Sequence, residues 1–445
     1  MSIRQLFLAA SLGLALPAGA QSNAPAAAPG PQPAQTPASP KQPTLSPADA
    51  SPISLAQALQ AARNNLDVSL ARRALAAAQG DVAAADHGPA PLLSTKASSI
   101  DLQNGIGGGN VFSQKRIDKA IGLDWAWERG NKRELRTLAA QRNAAAFKAD
   151  IEDMLVLQQQ ATAFAYFDLL AAQERITQIA ELANSASQLA STAARRVQAG
   201  DLAQQDAART EIEAQRASTD LLSAKLDRQR AALALAQLTG FTGPGSLVAQ
   251  PDWPAGLASD AKPDGNWTYP ALEARADVRA AQQRVEAARA ALDVASAQKK
   301  ADITLGTSFD HFPGTSNRLL ELRLQMPLYG ILGGYNFQGE VARAQAQLDQ
   351  AQDLLEKTRR AASADFQRLQ QDKQGAAARA LSYEATILPR ARKVAEMAEL
   401  AYNKGALSLT ELIDARRTLR SILIEDLAAR TDHAKAAQAW LLRQP

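Results

Sequence analysis

The sequence predicts a mainly α-helical protein with a small β part, built as two copies of one unit. Three observations carry this prediction. Two stretches of just under 70 residues, Lys132 to Ala199 and Gln338 to Lys404, are crowded with Ala, Gln, Leu, Arg and Glu, all good helix formers. Two short regions with a two-residue rhythm interrupt the helical stretches. A glycine-broken turn occurs twice: "AYNKGALSLTELIDARRTL" (401–419) matches "RRVQAGDLAQQDAARTEIE" under a shift of 205 positions, which sets Gly405 on Gly200, Leu407 on Leu202 and Glu411 on Asp206.

The elements follow in order. Arg4, the apolar run "LFLAASLGLAL" and the small residues Ala18-Gly19-Ala20 predict a secretory signal over 1–20. The run is short of the roughly 20 apolar residues of a spanning helix, which makes an N-terminal anchor the lesser alternative. Residues 21–52 are Pro/Ala-rich and nearly uncharged, the composition of a disordered linker. The first repeat is set at 53–245, an inter-repeat linker at 246–269 and the second repeat at 270–445. "NNLDVSLARRALAAAQGDVAAA" and "EARADVRAAQQRVEAARAALDVASA" open the two copies about 210 residues apart. Helices are predicted over roughly 54–87, 132–238 broken at Gly200, 270–300, and 338–442 broken at Gly405. At 1.5 Å per residue the two longest uninterrupted runs reach about 100 Å, the length of coiled coils rather than of a globular core. Pro389 falls inside the second run and predicts a kink there.

The hairpins are predicted at 92–127 and 302–328. In "NRLLELRLQMPLYG", Leu320, Leu322, Leu324 and Met326 alternate with Glu321, Arg323 and Gln325, and "PGTSN" joins this strand to "ITLGTSFDHF". In "RIDKAIGLDWAW", Ile121, Leu123, Trp125 and Trp127 face one way. An apolar outer face, a polar inner face and terminal tryptophans match a membrane β-barrel segment, with a half-buried hairpin of a soluble domain as the alternative. Four strands cannot close a barrel, and open edges in lipid leave backbone groups unpaired at several kcal/mol each. Two chains would supply eight strands and a filled bore, whereas three supply twelve and leave a passage. The expected assembly is therefore a homotrimer with a 12-stranded β-barrel and an α-helical barrel in the periplasm.

With these features the chain resembles the TolC family of outer-membrane efflux channels, most of all its CzcC-type branch serving cation exporters. The resemblance runs from about Ser54 to Leu442 and is most specific in the two glycine-turn segments, with "WERGNKRELR" and "PLYGILGGYNFQGE" also matching the family pattern. It implies a trimeric outer-membrane duct docked onto a periplasmic membrane fusion (adaptor) protein and an inner-membrane RND-type pump. A periplasmic coiled-coil adaptor or scaffold, and the duct of a type I protein secretion system, are the alternative functions. The cargo stays open among metal cations, organic toxicants and proteins, and the CzcC likeness points to cations.

Gly200 and Gly405 end long helices cleanly, because glycine adopts φ > 0 at no steric cost. Glu411 and Asp414 lie three apart and share a helix face, so three copies would form two acidic rings. By the resemblance, these positions match the constriction that closes the tunnel, with Tyr402 as a contact in the closed state. The family's namesake carries Asp where this chain has Glu411. Asp206 is a candidate for the tip and for adaptor docking. Arg209 falls on Asp414 under the 205-residue shift and is read either as an ion-pair partner or as a solvated charge. Trp125 and Trp127 are read as membrane-interface anchors, with a buried core position as the alternative.

Several classes are excluded. Lys plus Arg total 49 against 45 Asp plus Glu, and removal of Arg4 with the signal lowers the formal charge from +4 to +3, too little to suggest nucleic acid. Only His87, His311 and His433 exist, they have no paired spacing, and cysteine is absent, so neither a metal site nor a cofactor is expected. "NGIGGGN" precedes a strand and lacks the P-loop lysine. Catalysis is not expected.

Overall fold

In a computed structural model, the described residues are 52–100, 103–104, 108, 117–241, 247–262, 269–312, 316–328 and 334–444. The signal reading, nearly all of the linker reading and most of the glycine-rich loop lie outside them. The chain runs β1 (Pro52–Ile53), α1 (Leu55–Ala62), α2 (Leu66–Ala85), β2 (Leu92–Ser98), β3 (Asp118–Trp127), α3 (Lys132–Gln198) and α4 (Gln204–Thr239). It continues through β4 (Val248–Ala249), α5 (Leu257–Asp260), α6 (Tyr269–Glu273), α7 (Ala276–Ala297), β5 (Ile303–Phe312) and β6 (Ser316–Gln325). Finally come α8 (Gln338–Ser382), a π-turn at Tyr383–Ile387, α9 (Leu388–Asn403) and α10 (Leu409–Arg443).

The 67 residues of α3 form one unbroken helix about 100 Å long. Several of its buried positions are small: Ala146, Ala149, Ala163 and Ala165 allow neighbouring helices to approach closely. The main buried cluster is different. Tyr166, Phe167, Leu169, Leu170 and Leu235 fill the space between α1, α3, α4 and the β1/β4 pair. Tyr166 Oη donates to the Gln250 carbonyl at 2.7 Å, and Trp253 stacks on Phe167 with ring centroids 6.1 Å apart. The stretch between the repeats is thus more than a tether, since β4 pairs in parallel with β1 and Trp253 joins the core.

Two predicted helices prove to be broken at equivalent places. The first divides at Asn65, whose Oδ1 accepts from the Asp67 N–H at 2.9 Å while its Nδ2 donates to the Leu238 carbonyl at 2.9 Å. The second divides at Arg275, extended at φ −61° and ψ 142°, whose buried guanidinium bonds Asp277, Asp365 and the Ala362 carbonyl. These positions are 210 apart, and Val68 and Val278 three residues on are both fully buried. The break is a property of the repeat.

At Pro389, where a kink is expected, the regular helix is interrupted by a π-turn just before the proline. The preceding turn widens, so that the Leu388 N–H reaches the Tyr383 carbonyl five residues back instead of four. A π-turn placed before a proline absorbs the missing N–H by shifting the hydrogen-bond register.

The four long strands form one antiparallel sheet in the order β2-β3-β5-β6. One face carries Leu93, Ile121, Leu123, Trp125, Trp127, Leu305, Phe309, Leu320, Leu322 and Leu324, which the register sets side by side. These side chains are exposed, Leu322 to 80%. β2 and β6 are the two edges.

Candidate functional site: the paired helix tips and the open sheet

The first tip joins α3 to α4, the second α9 to α10. Gly200 and Gly405 both take a left-handed conformation, at φ +83° and +72°. Around each glycine the hydrogen bonds are the same. The Gly200 N–H bonds the Val197 carbonyl and the Asp201 N–H the Arg196 carbonyl; the Gly405 N–H bonds the Tyr402 carbonyl and the Ala406 N–H the Ala401 carbonyl. This is the Schellman arrangement, which satisfies carbonyls that a helix end otherwise leaves open. A Cβ on either glycine would meet nothing within 4 Å, so the glycine is required by backbone angle and not by space.

Past the glycines the tips diverge. Ser408 caps α10: its Oγ accepts from the Glu411 N–H at 3.3 Å, and Glu411 Oε2 accepts from the Ser408 N–H at 2.9 Å. The Ser408 hydroxyl also donates to the same Oε2 at 2.7 Å. Hydrogen bonds from Ser408 hold the Glu411 carboxyl below its ordinary range. In the first tip the corresponding cap is Ala203, which has no side-chain acceptor for Asp206 to complement. Glu411 is therefore turned back onto its own helix end within one chain, while Asp414, 65% exposed, projects from the next turn.

The contacts between the two tips involve several residues that sequence spacing did not single out. Arg196 Nη1 donates to the Tyr402 hydroxyl at 3.2 Å, and the guanidinium lies 5.9 Å from the ring centroid. Arg209 does not meet Asp414: its Nη1 donates to Thr410 Oγ1 at 3.1 Å, one helical turn nearer the tip. The inter-helix ion pair is instead made by Arg417, which bonds Glu213 on α4 and lies 3.8 Å from Asp414. That hydrogen bond holds the Glu213 carboxyl below its usual range, partly offset by burial. Arg420 pairs with Asp220 one turn further up, and Arg416 bonds Glu399 at 2.9 Å and the Ser185 carbonyl at 3.4 Å. The signal for these lay in the run Arg416, Arg417 and Arg420 on one helix, but which acids they meet depends on how the two hairpins pack.

At the other end, Trp125 and Trp127 close the apolar face of β3 next to the start of α3, both about half exposed. The α3 start is fixed to the second hairpin by Lys132, buried, whose Nζ lies 2.8 Å from Asp302. Among the described residues no helix is long and apolar enough to cross a membrane, and no group of three or more His, Cys, Asp or Glu could hold a metal ion.

No protein-family profile matches the chain. It is 26% identical over 377 residues to the cobalt-zinc-cadmium resistance protein CzcC of Cupriavidus metallidurans, covering 83% of this chain and 84% of that protein. Its fold matches the outer membrane protein VceC of Vibrio cholerae with a TM-score of 0.69 at 17% identity, over 88% of this chain and 96% of VceC. The chain has the TolC-type channel fold and is similar in sequence to CzcC along most of its length. The CmeC outer membrane channel of Campylobacter jejuni gives the same result, with a TM-score of 0.71 at 15% identity over 87% of this chain and 85% of CmeC. Both of these solved structures are of outer-membrane proteins, VceC being described as an outer membrane protein and CmeC as an outer membrane channel.

Proposed function

We propose that the chain is the outer-membrane duct of a tripartite efflux system, a passive trimeric exit for metal cations or small toxic compounds. One observation carries this reading: a sheet with a continuous exposed apolar face and two unpaired edges, set on helices about 100 Å long. Water penalises that face, since burying a Leu-sized side chain is worth about 1.5–3 kcal/mol, and lipid removes the penalty. Lipid in turn forbids the open edges, which three copies close as a 12-stranded barrel. The helices carry matching exposed stripes, Leu222, Leu226 and Leu233 on α4 and Val394, Met397 and Leu400 on α9, suited to contact with neighbouring copies.

The tip is the candidate gate. Asp414 contributes an acidic ring, Tyr402 and Arg196 hold the hairpins together, and Glu411 caps α10 in the closed form. Gly200, Gly405, Asp206 and Arg209 shape the surface offered to a periplasmic adaptor protein, with an RND-type pump beyond it. A name that reads cobalt-zinc-cadmium resistance in the CzcC relative favours cations as cargo. The test is conductance of the purified protein in planar bilayers. Cation-selective single channels, blocked by divalent ions and widened by Asp414→Ala, support the duct; a protein released with the soluble periplasm and silent in bilayers contradicts it.

A further inference from the structure

The polar face of the sheet is organised in rows that cross the strands. One row runs Asp124 on β3, Gly306 on β5 and Arg323 on β6. Neighbouring strands lie about 4.8 Å apart, so Asp124 and Arg323 belong to strands separated by about 10 Å. Even so, Arg323 Nη2 donates to Asp124 Oδ1 at 2.9 Å. The guanidinium gets there by lying over the bare backbone of Gly306. A Cβ on Gly306 would collide with Asp124 Oδ1 and stand 3.2 Å from Arg323 Nε. No left-handed angle is involved at this glycine, so what it supplies is room.

The rest of that face is acidic. Lys96, Asp118, Asp310 and Glu321 line one concavity on it, and Asp310 is buried, its Oδ1 accepting from Ser308 Oγ at 3.1 Å. Among the described residues of that face, removing the clasped pair leaves Lys96 and the three carboxylates Asp118, Asp310 and Glu321.

We propose that Gly306 is a selectivity-determining positioning residue: it lets Arg323 lie flat against the barrel wall with its charge cancelled by Asp124, so the wall presents net acidity to the passage and favours cations. This rests on the duct reading. Three freed guanidiniums at one level would narrow the bore and repel cations, because rings of charged side chains set both properties of a pore.

The experiment uses the full chain in planar bilayers under a KCl gradient, reading reversal potential and single-channel conductance. Gly306→Val keeps every charge yet displaces the clasp, and is expected to lower the K⁺/Cl⁻ permeability ratio by at least about twofold and to reduce conductance. In an Arg323→Gln background, Gly306→Val is expected to leave the ratio unchanged. Equal shifts with and without Arg323, or no shift at all, overturn the proposal. Gly306→Ala, which already places the colliding Cβ, serves if the valine variant fails to assemble as a heat-modifiable oligomer. A wild-type oligomer that conducts while all Gly306 variants behave like it sinks this inference alone; a wild type that never conducts sinks the duct reading with it.

Discussion

The two helix tips share a backbone and differ in chemistry. Both reverse through a left-handed glycine with the same pair of reverse-turn hydrogen bonds. Only the second has a serine at the cap, and only there is an acid drawn back onto the helix end. The difference shows that the fold needs the turn twice but the capping box once. Where the second tip commits Glu411 to its own helix, the first leaves Asp206 without a capping serine. The first tip contributes instead through Arg196, Arg209 and Glu213, which reach across to Tyr402, Thr410 and Arg417.

The comparison breaks most severely if the glycines are not equivalent. Gly200→Ala and Gly405→Ala each force a Cβ into the left-handed region and should cost about 1–2 kcal/mol of local stability. Hydrogen exchange at the tip amides should rise by a similar factor in both variants; a response in one alone would mean that the turns do different work. Next in size is the cap. Ser408→Ala should cost the first turn of α10 about 1 kcal/mol, and the reciprocal Ala203→Ser should protect the first turn of α4 by several tenths of a kcal/mol, with Asp206 completing the box. Faster exchange on Ser408→Ala with no gain from Ala203→Ser would show that Asp206 is too short to complete it.

The cross-links come third. Exposed or half-exposed ion pairs contribute about 0.2–1 kcal/mol each, so Arg417→Ala with Arg420→Ala should raise the open fraction of the channel by about two- to thirtyfold in bilayer recordings. An unchanged open fraction would remove the Glu213 and Asp220 pairs from the closed state. The smallest effect is pH-dependent. Glu411 is held below its ordinary value of 4.5, so its contribution is complete above that pH and is lost as pH falls through the lower folded value. Amides at the start of α10 should lose protection only below about pH 4.5, and Ser408→Ala should abolish that dependence.

Much of this architecture was legible because it is local. Alternation in Leu320, Leu322 and Leu324 marks a strand with two unlike faces, and the run from Lys132 to Gln198 has no residue that would stop a helix. Glycine at 200 and 405 announces a reversal by backbone angle alone. What escaped the sequence depends on distant partners. The break at Asn65 is fixed by the Leu238 carbonyl, 173 residues away, and the break at Arg275 by Asp365 and the Ala362 carbonyl. Arg209 faces Thr410 rather than Asp414 because equivalent positions in two repeats need not face each other once the hairpins pack. The clasp over Gly306 joins strands that are not neighbours, and neither the period of β5 nor that of β6 contains it.

The central claim is that one chain holds a third of a barrel, and the mass of the protein extracted from membranes in mild detergent tests it most directly. Native mass spectrometry should find three copies and no stable single chain, with the trimer dissociating only on heating. A homogeneous monomer under those conditions would contradict the account, because the edges at β2 and β6 would then have no partner.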